Sequence, residues 1–514
     1  MKESIIFGAV ILMITNFFVK ILSLVYRGVL IRLIGGEGLG LWEMISPIFS
    51  LILVVASWGI PLAISNLVSR DIERKYTMSI VKTGMILLVI TGFAVSFIVI
   101  AVFPFVREFI FSDRRIDFGF LATIPTVLII SFFSVYRGYF QGSHMTSLLG
   151  KSQAVEQIVR VVAGIGIIIF LIDRGYTITI LLVGLSAATF LAEWSGGLYL
   201  WKKFRKEKKS AKTKGIFQQN IASRMVRMGT PITMSRLAVS FAMSCQAVLI
   251  PRALMAGGCT ASTAATLFGY FSGVAMTILH LPAIITNALT TPLIPAIAEA
   301  AAENAQEKMK SRIEDSLLFT AYTAIPLLAL IFYFAEPLCR ILFAAEEAAP
   351  MLTLLAMGGI FFYLQQPLIA VMQGLNYFKS ILAILCIGDG LYILLLALGC
   401  YHGNFTMEQG IIYFIFSDII LWATAMIYLK RKIRIRFRLF KTMILPLFVS
   451  LFGLFVLEAL SQRLPSSIPE LLAVTMLGIA FCAVYLLLLY WMGGIDKELI
   501  ARLSSRGKRY RSRT

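Results

Sequence analysis

Asn16, Lys20, Ser23 and Arg27 follow one another at intervals of four, three and four residues inside an apolar run. That spacing places all four on one helix face. Thr233, Arg236, Ser240 and Ser244 set out a similar stripe about 220 residues later. Every charge on the two stripes is cationic, and Arg32 adds another beyond Arg27. A charge facing lipid costs at least about 3 kcal/mol at mid-bilayer, so such stripes are expected to face an aqueous cleft. Cations in a cleft suit an anion, most simply phosphate or pyrophosphate, whose oxygens guanidinium engages well. The candidate anion-binding set is therefore Lys20, Arg27, Arg32 and Arg236, with Asn16 and Ser240 beside them. The competing reading pairs Lys20 and Arg27 internally with Glu193, Asp389 or Asp418, or lets them snorkel.

Glu156, Arg160 and Gly164 lie four apart on one helix face, so Glu156–Arg160 reads as a polar pair, structural or gating. The stretch before it, "YRGYFQGSHMTSLLGK" (136–151), reads as a connecting loop, with Arg137 at a helix end. Acids within apolar runs are few. Asp389, in a "GDG" that is expected to break its helix, Asp418 and Glu193 are candidates for a monovalent cation or proton site. His280, beside Pro282, reads as a satisfied interior residue. "GGEGLG" (35–40) follows no strand and reads as an extramembrane turn, not a nucleotide loop. No nucleotide-binding or catalytic motif and no metal-ligating cluster is recognisable, so neither a cofactor nor an enzymatic reaction is expected.

These stripes need elements to carry them. The chain has 514 residues, is 59% hydrophobic and only 14% charged, and has a mean hydropathy of +0.85. A soluble protein of this length cannot bury that much apolar surface, so the fold class is an all-α polytopic membrane protein. About 14 spans can be drawn, at 5–26, 44–67, 80–104, 119–140, 154–172, 178–200, 228–250, 266–290, 316–335, 351–371, 381–400, 410–429, 443–460 and 470–492. The first reads as a retained span, not a cleaved leader. With the N-terminus inside, 35 of the 47 Lys and Arg fall on the cytoplasmic side, counting Lys82 and Arg137 at the inner ends of their spans, nine on the other and three deep within spans. This asymmetry is expected to place both termini in the cytoplasm. It also assigns the net charge of +20 to orientation and anionic membrane lipids, not to nucleic acid. The six cysteines form no CxxC pattern, so neither a disulfide framework nor a zinc site is expected.

The two halves echo each other. "IPLAISN" (60–66) resembles "LPAIITN" (281–287), "VLIRLIGG" (29–36) resembles "VLIPRALMAGG" (248–258), and "YFQG" (139–142) resembles "VMQG" (371–374). The division that follows is an N-terminal lobe at 1–201 (spans 1–6) and a basic linker at 202–227. A second lobe follows at 228–430 (spans 7–12), then spans 13–14 at 431–492 and a basic tail at 493–514. Two pseudo-symmetric six-helix lobes would suit alternating access at a cleft between them.

The residues "YRGYFQG", Met145, Ser152–Gln153, Glu156–Gln157 and Arg160–Val161 resemble the signature between spans 4 and 5 of the stage V sporulation protein B family. That family belongs to the polysaccharide-transporter branch of the multidrug/oligosaccharidyl-lipid/polysaccharide exporter superfamily. The resemblance covers essentially the whole chain; Thr146-Ser147-Leu148 departs from the Pro-Thr-Ala of many relatives. It implies a flippase for an undecaprenyl-pyrophosphate-linked glycan, lipid II in particular, serving spore cortex or cell wall synthesis. Partners would be that lipid-linked anionic glycan, anionic membrane lipids and cell wall synthesis enzymes, with the chain acting as a monomer. Lys20, Arg27 and Arg32 fall near the span-1 arginines of lipid II flippases, and Asp389 near one acid of a sodium site that some of them carry. The alternatives are an ion-coupled multidrug antiporter, a flippase for another lipid-linked polysaccharide, and a non-transporting scaffold.

Overall fold

The computed structural model describes residues 5–494, apart from 72, 74, 112, 209–215, 436, 464 and 466. The structure is built of α-helices, with no strand among the described residues. In chain order they are α1 (Ile5–Ser57), α2 (Ile60–Arg70), α3 (Thr77–Ile110), α4 (Asp117–Leu121), α5 (Ile124–Gly142), α6 (Thr146–Asp173) and α7 (Ile178–Lys208). Then come α8 (Gln219–Ala256), α9 (Ala261–Phe268), α10 (Met276–Leu279), α11 (Ala283–Ala302), α12 (Gln306–Tyr333) and α13 (Ala335–Phe343). The last six are α14 (Ala349–Gly358), α15 (Ile360–Gly374), α16 (Phe378–His402), α17 (Met407–Ile433), α18 (Leu445–Ser461) and α19 (Glu470–Trp491). Thirteen helices are long and apolar enough to cross a membrane. The number becomes 14 when the bent pair Glu346–Gly358 and Ile360–Gly374, meeting at 51°, counts as one crossing. Helix is the form expected, because a lone chain segment in hydrocarbon must satisfy its own N–H and C=O groups.

Two units pack separately. One takes in the chain up to Val274 with Leu342–Ala345 and Leu382–Tyr413. The other takes in Ala275–Ile341, Glu346–Ile381 and the chain from Phe414 on. In the first, Ile64, Leu88, Val135, Phe140 and Leu200 are fully buried around α2, α3, α5 and α7. In the second, Phe334, Val449, Phe481 and Tyr485 form a core that joins α12, α18 and α19.

Each sequence echo marks the same structural event in its copy. "YFQG" ends α5 and "VMQG" ends α15. The residue two places on, His144 or Asn376, has a positive φ of 58° or 59°. The cap bonds match as well: Met145 N–H donates to Phe140 O (3.0 Å) and Tyr377 N–H to Met372 O (2.9 Å). This is the left-handed helix ending that lets a chain reverse within a few residues. "VLIRLIGG" and "VLIPRALMAGG" both carry a glycine of positive φ in their closing pair, the first glycine in one (Gly35, 70°) and the second in the other (Gly258, 95°). "IPLAISN" follows a helix break at Trp58–Gly59, and "LPAIITN" opens within one at His280–Pro282.

The terminal glycines also set matching helix contacts. A Cβ at Gly142 would lie 2.4 Å from Ser65 O on α2, and one at Gly374 would lie 2.7 Å from Ile294 O on α11. The second and fourth crossings of each copy therefore meet backbone to backbone. Small residues at a helix crossing permit this close approach in lipid.

The structure corrects three local readings. "YRGYFQG" is helix, with only Ser143–Met145 left as a turn, because Tyr136, Tyr139 and Phe140 are buried in the first core. "GGEGLG" shortens to the one kink residue Gly35. The rest begins a helical segment with Leu39 and Leu41 fully buried and Glu37 ion-paired to Arg115 at 2.8 Å. "GDG" breaks nothing: α16 runs through it unbroken, since unsatisfied backbone in an apolar layer costs more than two helical glycines.

Gly142→Ala and Gly374→Ala are expected to lower the apparent thermal midpoint of the purified chain, each costing roughly 1–3 kcal/mol as overpacking against fixed backbone. Gly166→Ala, whose added Cβ meets open space, should leave the midpoint unchanged or slightly raised. Equal midpoints for all three variants would refute the close-contact account.

Candidate functional site

Three helices of the first unit bring four charges into a closed ring. Arg137 Nη2 (α5) donates to Glu156 Oε2 (α6) at 2.9 Å and to Glu193 Oε2 (α7) at 2.8 Å. Arg160 Nη2 (α6) donates to the other oxygens, Glu156 Oε1 at 2.9 Å and Glu193 Oε1 at 3.1 Å. Each carboxylate thus spans both arginines. Two positive and two negative charges balance within one apolar environment. The local sequence makes this possible through small residues: Ser152 Oγ donates to Gly196 O at 2.9 Å, drawing α6 onto α7. The Glu156–Arg160 pair is therefore half of a larger group. Arg137, expected at a helix end, and Glu193, considered as an ion site, supply the rest. Each partner sits on a different helix, so no single-helix spacing could reveal them.

The span-1 stripe is distributed over more than one environment. Asn16 and Lys20 are exposed. Arg27 is ion-paired at 3.1 Å to Glu43, whose side chain is only 8% exposed. Ser272, within the π-helical turn Gly269–Ala275, donates to the other oxygen of Glu43 at 3.3 Å. Glu43 lies just outside the span drawn at 44–67, so it is not among the acids expected to partner Arg27. Arg32 Nη1 donates to Gly28 O (2.8 Å) and to Leu342 O (3.2 Å).

On α8, Arg236 is exposed and Ser240 half-buried, while Thr233 and Ser244 are buried. Those two hydroxyls donate to carbonyls of their own helix, at Gly229 and Ser240. Asp389 is half-buried on α16. Asp418, in the second unit, is buried and accepts from Gln365 Nε2 at 3.1 Å. Among the described residues no three His, Cys, Asp or Glu side chains gather into a metal-binding group. His280 packs against Phe362 with ring centroids 5.0 Å apart and the planes tilted by 48°.

The arrangement defines a multi-pass membrane protein that keeps cations and balanced ion networks among its crossings. Two families match by sequence, one described as polysaccharide biosynthesis protein over residues 5–301 and MatE over residues 269–398. Stage V sporulation protein B of Bacillus subtilis (strain 168) is 31% identical over 390 residues, 73% of this chain and 74% of the relative. Lipid II flippase MurJ of the same organism is 22% identical over 422 residues, 76% of each. A solved structure of lipid II flippase MurJ in an inward closed conformation shares the fold, with a TM-score of 0.72 at 14% identity. That match covers 94% of this chain and 99% of the other. The chain belongs to the polysaccharide biosynthesis protein family, on the branch that includes stage V sporulation protein B.

Removing one member of the charge ring leaves its partners unbalanced. Glu193→Gln should destabilise the chain by up to roughly 3–5 kcal/mol, the loss for breaking a buried ion pair, tempered by the partial exposure of the arginines. Glu193→Gln with Arg160→Gln restores the balance and should cost less than the two single changes added together. Strictly additive thermal shifts would contradict a closed ring.

Proposed function

We propose that the chain is a flippase that moves an undecaprenyl-pyrophosphate-linked glycan, lipid II in particular, across the bacterial cytoplasmic membrane. The observation that carries this reading is the 31% identity to stage V sporulation protein B over most of both chains. The cations of α1 and α8 are the supporting chemistry. In this reading the lobes 1–201 and 228–430 alternate access around a V-shaped cavity, with both termini in the cytoplasm. Lys20, Arg27, Arg32 and Arg236 receive the pyrophosphate, Asn16 and Ser240 add hydrogen bonds, and the polyprenyl tail stays in lipid.

Arg27 already holds Glu43, so a pyrophosphate would compete with that carboxylate for one guanidinium. Such an exchange couples cargo arrival to release of the part of α1 before the Gly35 kink from Glu43 after it. Asp389 and Asp418 are the acids proposed for coupling to a monovalent cation or proton. Cell wall synthesis for the spore is the proposed setting, and the monomer the proposed working form. The MatE match over 269–398 favours a second reading, an ion-coupled multidrug antiporter. That reading expects drug resistance on overexpression and no change in lipid-linked glycan.

Cells depleted of the protein should accumulate lipid II with its headgroup facing inward, measured by headgroup accessibility. Arg27→Gln and Arg236→Gln should each slow transport about 10- to 100-fold at normal protein levels, the loss of one charge-assisted hydrogen bond. Full transport by both variants would sink the cationic-cavity mechanism. Accumulation of a different lipid-linked glycan would reassign the cargo.

A further inference from the structure

A cavity of about 560 Å³ opens in the first unit where α2 ends, α3 begins and α8 starts. Among the described residues its walls carry three cations from three separate segments: Arg70 at the end of α2, Lys75 in the turn before α3, and Arg224 in the second turn of α8. Two acids, Asp71 and Glu73, also line it, but neither is ion-paired to these cations among the described residues. Asp71 is occupied by its own turn, accepting from Lys75 N–H (3.2 Å), Tyr76 N–H (2.9 Å) and Thr77 Oγ1 (2.7 Å). Glu73 is exposed and pairs with no cation among the described residues. Arg70 and Arg224 have no ion pair or hydrogen-bond partner among the described residues, and Lys75 Nζ lies 5.8 Å over the Tyr76 ring. Two guanidiniums therefore keep all their donors although carboxylates share the cavity.

The other side of the cavity is apolar. Leu67 and Ile80 are buried there, with Ile221 beside them, while Tyr76 is exposed at the mouth. A cationic rim over an apolar wall, at the point where spans leave the hydrocarbon, fits a phosphate joined to acyl chains better than a free anion. Guanidinium forks suit its non-bridging oxygens.

We propose that this cavity binds the phosphate headgroup of an anionic membrane phospholipid, held by Arg70, Arg224 and Lys75. The site is separate from the α1 and α8 stripes, so it stands whether or not the cargo reading does. A lipid bound here would tie the end of α2 to the start of α8.

The test is equilibrium binding to the purified full-length chain in non-ionic detergent. Dioctanoyl-phosphatidylglycerol should bind more tightly than dioctanoyl-phosphatidylcholine, and equimolar inorganic phosphate should not displace it. Arg70→Gln with Arg224→Gln should weaken phosphatidylglycerol binding about 30-fold, from about a factor of five per basic side chain near a membrane surface. Arg70→Lys with Arg224→Lys should restore most of it. Glu73→Gln removes a competing negative charge and should tighten binding, a readout that does not depend on how the arginine variants fold. Equal affinity for the two lipids, an unchanged constant in the folded double glutamine variant, or no effect of Glu73→Gln would overturn the proposal. Displacement by equimolar inorganic phosphate would overturn the lipid as its source.

Discussion

The ring of Arg137, Glu156, Arg160 and Glu193 shows what governs the first unit: an ionised side chain among apolar helices must find its counter-charge inside the protein. The cost of an unpaired ion there is several kcal/mol, a large fraction of the net stability of a folded chain. Satisfying it restricts how α5, α6 and α7 can rotate. Arg137 must point toward both carboxylates, which fixes the face that α5 turns to its neighbours. That rotation carries Tyr136, Tyr139 and Phe140 into the core against Phe204. Glycine and serine at the α6–α7 contact bring the backbones close enough for side chains of ordinary length to close the ring. The apolar packing and the ion ring are thus one solution, and neither arrangement would hold in this register without the other.

The same logic explains why the internal repeat survives at junctions and fades elsewhere. Helix faces that meet lipid accept any apolar residue, so their sequences drift freely. A junction is less tolerant. A left-handed residue at 144 or 376, and a glycine backing onto a carbonyl at 142 or 374, are conditions that few side chains meet. The charged ring, by contrast, has no counterpart in the second copy's "MQGLNYFKS", where Gln373–Gly374 remains without a Glu/Arg pair. The second unit instead buries Asp418 against the neutral amide of Gln365. Topology is shared between the copies, and charge chemistry is particular to each.

Hydrophobic run length made the helical class and the span count legible, because a bilayer crossing demands about 20 apolar residues whatever lies beside it. Local periodicity made Glu156–Arg160 legible for a similar reason: both partners sit on one helix. What stayed hidden were partners lying beyond the apolar run in which each charge was read. Glu43 was hidden from Arg27 by a span boundary, and Arg137 from Glu193 by 56 residues of chain. Gln365, a neutral side chain, offered no charge to search for. Glycine misled in the opposite direction. In a soluble chain "GDG" and "GGEGLG" would favour turns, but in hydrocarbon the backbone has no water to turn toward. Helix therefore continues through 388–390 and resumes at once after Gly35.

The cations sort themselves by whether the fold has already used them. Arg137 and Arg160 spend their charge on Glu156 and Glu193, so their contribution is to the fixed shape of three helices. Lys20 and Arg236 lie within candidate spans, are exposed, and meet no carboxylate among the described residues. A cation in that position is tolerable only where water or an anion can reach it, since lipid alone would impose the full penalty of burial. Arg27 stands between the two groups, paired to one carboxylate yet one-third exposed. An anion arriving beside it would meet a guanidinium that can exchange one negative partner for another without being left bare. A chain that must pass an anion through an apolar layer gains from holding cations in this intermediate condition.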